Sequence, residues 1–261
     1  MSETKTFEEL FLSYSKEENL KVNKLKILLI NNINSNYRYL FKLKEWQIKN
    51  QEYFDYIFYL GNFLSFQENK NKNDLKEICN DEAEIGGLLL FLENICLNII
   101  YIGGDNDTPT IFKTPHPNLT LKSINLHNNF HKLAEDLYLI GYGGNIEINK
   151  NKNPLENTFY KFNDYIKENN KLQNSQIILL CNDSNYEKND KKYKNIIKII
   201  KNKNIFLFLN GNINMKKGEE KLEDITILNP GSIYEGEFVI LILERDNDQT
   251  WKIQTINYLT I

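Results

Sequence analysis

Three features of this 261-residue chain predict an α/β fold. Five short apolar runs, at residues 26–30, 56–60, 99–102, 177–181 and 205–209, are continuous rather than alternating, as in strands buried on both faces. Segments with apolar residues at helical spacing separate them, the pattern of parallel β-α-β units. After residue 209 the helical spacing stops and a run of strands follows.

The elements follow in order. Residues 1–20 read as an N-terminal extension, with Phe7, Leu10, Phe11 and Tyr14 at helical spacing, and residues 21–261 as one domain. A strand over 25–30 leads to a helix over 36–50, where Tyr37, Leu40, Phe41, Leu43 and Ile48 repeat at helical spacing. The strand at 56–60 completes that unit. Residues 67–81 are polar and rich in Asn and Lys, a surface insertion leading towards a helix over 83–94 and a strand over 97–102. Two shorter strands are expected at 118–127 and 137–140, the second closed by Gly141-Tyr142-Gly143-Gly144. That run lacks the third glycine and the following helix of a nucleotide loop, so it reads as a turn. A Lys/Asn loop at 149–153 precedes a helix over 155–171, carrying Phe159, Phe162 and Ile166 on one face. Then come a strand (176–181), a helix (191–201), a strand (204–209) and terminal strands at 225–228, 237–243 and 251–256. Asn229-Pro230-Gly231-Ser232 forms the turn after the first of these.

Composition excludes several function classes. The net charge of -3, with lysines interleaved among acids, leaves no electrostatic footprint for nucleic acid. No run approaches the ~18 apolar residues of a membrane span, and the first 20 residues contain no apolar signal region. Cys79, Cys96 and Cys181 are odd in number and unevenly spaced, fitting a reducing compartment rather than a disulfide framework or zinc site. A soluble intracellular protein is expected, cytoplasmic or cytoskeletal and ciliary rather than secreted.

The five buried strands end in Asn32-Ile33-Asn34, Gly61-Asn62, Gly104-Asp105-Asn106-Asp107, Asn182-Asp183 and Gly211-Asn212-Ile213-Asn214. In open α/β sheets the ligand crevice lies beyond the carboxyl ends of the strands, where all five loops fall. In order and spacing these loops resemble those of the calcineurin-like metallophosphoesterases, which read D-x-H, G-D, G-N-H-D, H and G-H-x-H. The N-P-G-S turn is similar to one in the smaller-substrate branch of that family. The resemblance implies a four-layer α-β-β-α sandwich with two mixed β-sheets packed face to face. It also assigns positions. Asn32 and Asn34 stand for an aspartate and a histidine ligand, and Asn62 for the aspartate that bridges two metals. Asp105 stands for a ligand asparagine, Asn106 for the histidine at the leaving group, and Asp107 for the aspartate orienting that histidine. Asn182, Asn212 and Asn214 stand for three further histidine ligands.

A two-metal phosphoesterase needs a bridging carboxylate and several imidazoles, since neutral amide oxygens are weak ligands for transition metals. All five histidines and two aspartates of the pattern are asparagine here. The chain has about 40 asparagines, so a single one carries little information and only the pattern does. His116, His127 and His131 all lie in the middle strand segment, away from the motif loops. The sequence therefore reads as a pseudoenzyme with no catalytic residue, metal or cofactor, its nine motif positions being vestigial. The function expected is that of a structural or protein-binding subunit in a multi-subunit assembly. The alternatives are a divergent phosphoesterase holding one hard cation on Asp105, Asp107 and Asp183, or a phosphate- or nucleotide-binding sensor. In the first reading Asn34, Asn106, Asn182 and Asn214 face a solvated crevice.

Overall fold

The computed structural model describes residues 22–68, 74–113, 120, 122–144, 154–168, 175–182, 203–211 and 216–261. The N-terminal extension, the helix expected over 191–201, the loop at 149–153, His116, Asp183, Asn212 and Asn214 lie outside the described residues.

Among the described residues twelve strands form two six-stranded mixed sheets. The first takes the order β12 (Trp251–Thr260), β11 (Glu237–Arg245), β1 (Lys24–Ile30), β2 (Tyr56–Tyr59), β3 (Ile99–Tyr101) and β4 (Ser123–Asn125). The second runs β5 (Asn129–Ala134), β6 (Leu137–Tyr142), β7 (Gln176–Cys181), β8 (Ile205–Asn210), β10 (Ile225–Asn229) and β9 (Gly218–Leu222). β1, β2, β3 and β4 pair in parallel, as do β6, β7, β8 and β10, so each sheet delivers a set of carboxyl strand ends to one edge.

Both faces of each sheet are buried, which is why the strands read as unbroken apolar runs. Leu25, Ile27 and Leu29 of β1 point between the sheets, where Leu139, Ile178, Leu180, Leu207 and Leu209 meet them. Leu28 and Ile30 point the other way, onto α1 (Tyr37–Asn50) and α2 (Leu75–Glu93) through Leu40, Leu43, Ile85, Leu88 and Leu92. On the far side α3 (Pro154–Glu168) lays Leu155, Phe159 and Phe162 against Ile140, Leu179 and Phe208. Each fully buried side chain of this kind contributes roughly 1.5–3 kcal/mol. Two sheets flanked by helices make the four-layer sandwich that the sequence predicts.

Local chemistry sets the helix ends. The Asn36 side chain caps α1 by accepting from the Arg38 N–H, and Asp74 caps α2 by accepting from Lys76 and Glu77. α2 thus starts eight residues before the expected 83, because its first turns are polar and exposed and read as part of the insertion. The strand expected over 118–127 shortens to β4, and β5 and β9 were not expected at all. β5 and β9 lie at sheet edges and carry polar residues on exposed positions, so they lack the apolar runs of the inner strands. Gly141 and Tyr142 belong to β6 rather than to the turn after it. Among the described residues no helix is long and apolar enough to cross a membrane.

Candidate functional site

The crevice loops meet where the two sheets' parallel strands end. Asn32, Asn34 and Asn62 all adopt left-handed backbone, with φ of 55°, 50° and 61°. Asparagine tolerates that region better than other residues bearing a Cβ, so these positions suit the local chain path apart from any ligand. The loops after β1 and β2 are zipped by backbone bonds, Asn32 N–H to Gly61 O (3.0 Å) and Asn34 N–H to Asn62 O (3.1 Å).

Asn62 stands at the centre. Its Nδ2 donates to Asn32 Oδ1 at 2.8 Å, and its Oδ1 accepts from the Asn106 backbone N–H at 3.2 Å. Both polar atoms of this side chain are engaged inside the protein. Asn182 is 1% exposed, and its Nδ2 donates to the carbonyls of Leu60 (2.5 Å) and Gly211 (3.1 Å). It is therefore a buried structural group joining the two sheets, not the crevice-facing side chain expected from the sequence. Asn34 and Asn106 are half-buried.

Asp107 is buried and organises the neighbouring loop. Its Oδ2 accepts from the N–H groups of Gly104 (2.7 Å) and Asn62 (3.1 Å), and its Oδ1 from that of Leu64 (3.0 Å). Burial pushes its carboxyl up to about 7, against the pull of these backbone donors. The same site raises two phenols: burial, then the nearby Asp107 charge, lifts both Tyr59 and Tyr101. Tyr59 accepts from the Ile33 N–H through its hydroxyl. With Asp107 committed to backbone donors, the Asp105, Asp107 and Asp183 constellation contributes Asp105, half-buried, as its remaining described carboxylate.

Gly104 allows this close packing. A Cβ there would lie 2.2 Å from Asn62 Oδ1 and 2.3 Å from Asn62 N, so the position excludes alanine by contact rather than by backbone angle.

Two residues were misplaced or missed in the sequence reading. His127 is not remote from the motif loops. Its Nδ1 accepts from the Gly143 N–H (3.1 Å), its ring packs on Phe112 and Tyr142, and Gly144 N–H donates to Gly103 O just ahead of the Gly104–Asp107 turn. His131 sits on β5, where burial pushes its imidazole down. Asn31 is fully buried, and its Nδ2 donates to Gly211 O at 2.7 Å across the sheets. Its polar side chain directly after an apolar strand was the available signal.

Among the described residues no group of three or more His, Cys, Asp or Glu side chains is placed to hold a metal ion. The donor set around Asn62 does not fit a two-metal centre, because its amides are hydrogen-bonded to one another and Asp107 to backbone. Asn32, Asn62, Asn106, Asp107 and Asn182 are brought into one network, with Asn34 tied in by its backbone.

A family model described as metallophosphoesterase, calcineurin superfamily, matches residues 20–252. No curated protein matches the chain by sequence. Among solved structures, TT1561 of Thermus thermophilus is similar with a TM-score of 0.55 at 18% identity, covering 88% of this chain and 98% of its own. The NAD nucleotidase of Haemophilus influenzae gives 0.55 at 12% identity, covering 91% of this chain and 50% of the nucleotidase. At such identities the likeness is one of fold.

Proposed function

From the premise that this chain belongs to the metallophosphoesterase, calcineurin superfamily, we propose that it is a non-catalytic member, serving as a structural or protein-binding subunit of a larger intracellular assembly. One observation carries the reading. Asn62, at the metal-bridging position, has both side-chain atoms hydrogen-bonded to other crevice loops. Asn32, Asn62, Asp107 and Asn182 then have a use that needs no ligand: they hold the ends of the strands together.

A water activated for attack on phosphorus requires a metal of sufficient Lewis acidity, and that metal requires carboxylate and imidazole ligands. Asparagine at positions 32, 34, 62, 106, 182, 212 and 214 supplies neither. What persists is the sandwich and its turns, which selection on a binding surface would preserve. Among the described residues Cys79, Cys96 and Cys181 form no disulfide, which supports an intracellular setting.

Natively purified protein is the test. Elemental analysis should find no stoichiometric Zn, Fe or Mn, phosphomonoesters and diesters should remain unhydrolysed, and partner proteins should co-purify at fixed ratio. Metal-dependent hydrolysis that disappears in Asp105→Ala would sink the proposal and favour a one-cation phosphoesterase.

A further inference from the structure

Each sheet has two edge strands, and three of the four carry the features that discourage edge-to-edge pairing. β4 has three residues. β5 places His131 and Lys132 along its length, and β9 begins at a glycine and carries Glu219, Glu220 and Lys221. β12 differs. It is ten residues long, contains neither proline nor glycine, and has one charge, Lys252.

The register with β11 shifts between Ile242 and Leu243, which makes Gln254 the extra residue of a bulge on β12. Lys252 and that bulge guard the first part of the strand. Beyond them Thr255–Thr260 run uncharged and in unbroken register from Ile242 to Glu237. Ile256 and Tyr258 lean on the apolar layer between the sheets and Leu259 on the opposite layer, all three half-buried. Among the described residues no strand pairs with the outer edge of β12.

We propose that this edge is an interaction surface whose partner is a second copy of the chain, paired antiparallel through residues 255–259 about a two-fold axis at Asn257. Self-pairing suits this segment for three reasons. Centring on Asn257 sets Ile256 opposite Tyr258 of the second copy and Thr255 opposite Leu259, so each sheet face meets the same face. The first of these is a β-branched–aromatic pair, a favourable cross-strand combination. Without charge in the segment, no like charges oppose one another, and Lys252 falls beyond the end of the paired stretch. The two six-stranded sheets would join into one sheet continuous across the pair. This proposal is independent of whether the crevice is catalytic.

Sedimentation of the full chain over a dilution series, combined with hydrogen exchange, tests it. A reversible monomer–dimer equilibrium is expected, with the alternate amides of residues 255–259 that point away from β11 exchanging faster as the dimer dissociates. Asn257→Lys puts two like charges opposite each other at an exposed position and should weaken association by about tenfold or more, with the thermal unfolding of the monomer unchanged. A wild-type chain that stays monomeric throughout overturns the proposal. So does a folded Asn257→Lys variant that dimerises as tightly as wild type, which would place the interface elsewhere. Slow exchange in the monomer of the alternate β12 amides that point away from β11 also overturns it, since the edge would then be covered within one chain. Should the lysine variant fail to fold, the wild-type exchange series decides alone.

Discussion

At the end of the sandwich opposite the crevice, Asp136 accepts from Trp251 Nε1 (2.9 Å) and is ion-paired with Arg245. Gln176 donates to Trp251 O (3.0 Å) and accepts from its N–H (2.5 Å), so four side chains tie β11 and β12 to the other sheet. At the crevice end, Asn31 and Asn182 donate to carbonyls across the same gap, and Asp107 and Asn62 bind the neighbouring loops. One end uses a charged pair and an indole, the other a set of amides around one buried carboxyl. The comparison teaches that the loops at the carboxyl strand ends are built like a structural lock.

If both ends are locks, damage to either should register first as lost stability. Trp251→Ala should have the largest effect, about 3–5 kcal/mol in urea unfolding, since it removes a fully buried side chain together with its indole hydrogen bond to Asp136. A loss under about 1 kcal/mol would mean that the far end is not a lock and the comparison fails.

Asp107 sharpens it at the crevice end. Asp107→Ala leaves three backbone N–H groups without their acceptor and should cost about 3 kcal/mol. The sign of its pH dependence follows from the raised pKa. The unfolded carboxyl titrates near 3.8 and the folded one near 7, so the stability contributed by the protonated form is full below about 4 and is lost as pH rises towards 7. The stability of wild type relative to Asp107→Asn should therefore decline over that window in urea titrations. A relative gain with rising pH would identify the ionised carboxylate, held by its N–H donors, as the favoured form.

The smallest effects should separate the buried amides from the half-buried ones. Asn182→Ala removes two buried hydrogen bonds, one of them to Leu60 O across the sheets, and should cost about 2 kcal/mol, whereas Asn34→Ala should stay within about 0.5 kcal/mol. Equal losses in paired thermal melts would erase the distinction between lock and rim.

The inner strands were legible because burial on both faces leaves an unmistakable apolar run; β7 lies at the residues expected, 176–181. The polar edge strands β5 and β9 were not, since their pairing depends on a neighbour that local pattern does not reveal. The convergence of the loops after β1, β2, β3 and β7 was legible from the strand ends alone. Burial of Asn31 and Asn182 was not, because a side chain's exposure at a loop depends on the other sheet's carbonyls, Gly211 O for Asn31 and Leu60 O for Asn182. His127 failed for a related reason: distance along the chain concealed the contact its ring makes through Gly143.

The amide network around Asn62 also decides how the crevice responds to its surroundings. Loops ordered by a bound ion obey mass action, and their integrity follows the supply of that ion and yields to a competing chelator. Loops joined by Asn32, Asn62, Asn106 and Asn182 are held by covalently attached partners at fixed effective concentration. Under the non-catalytic function proposed above, their shape is thus constitutive.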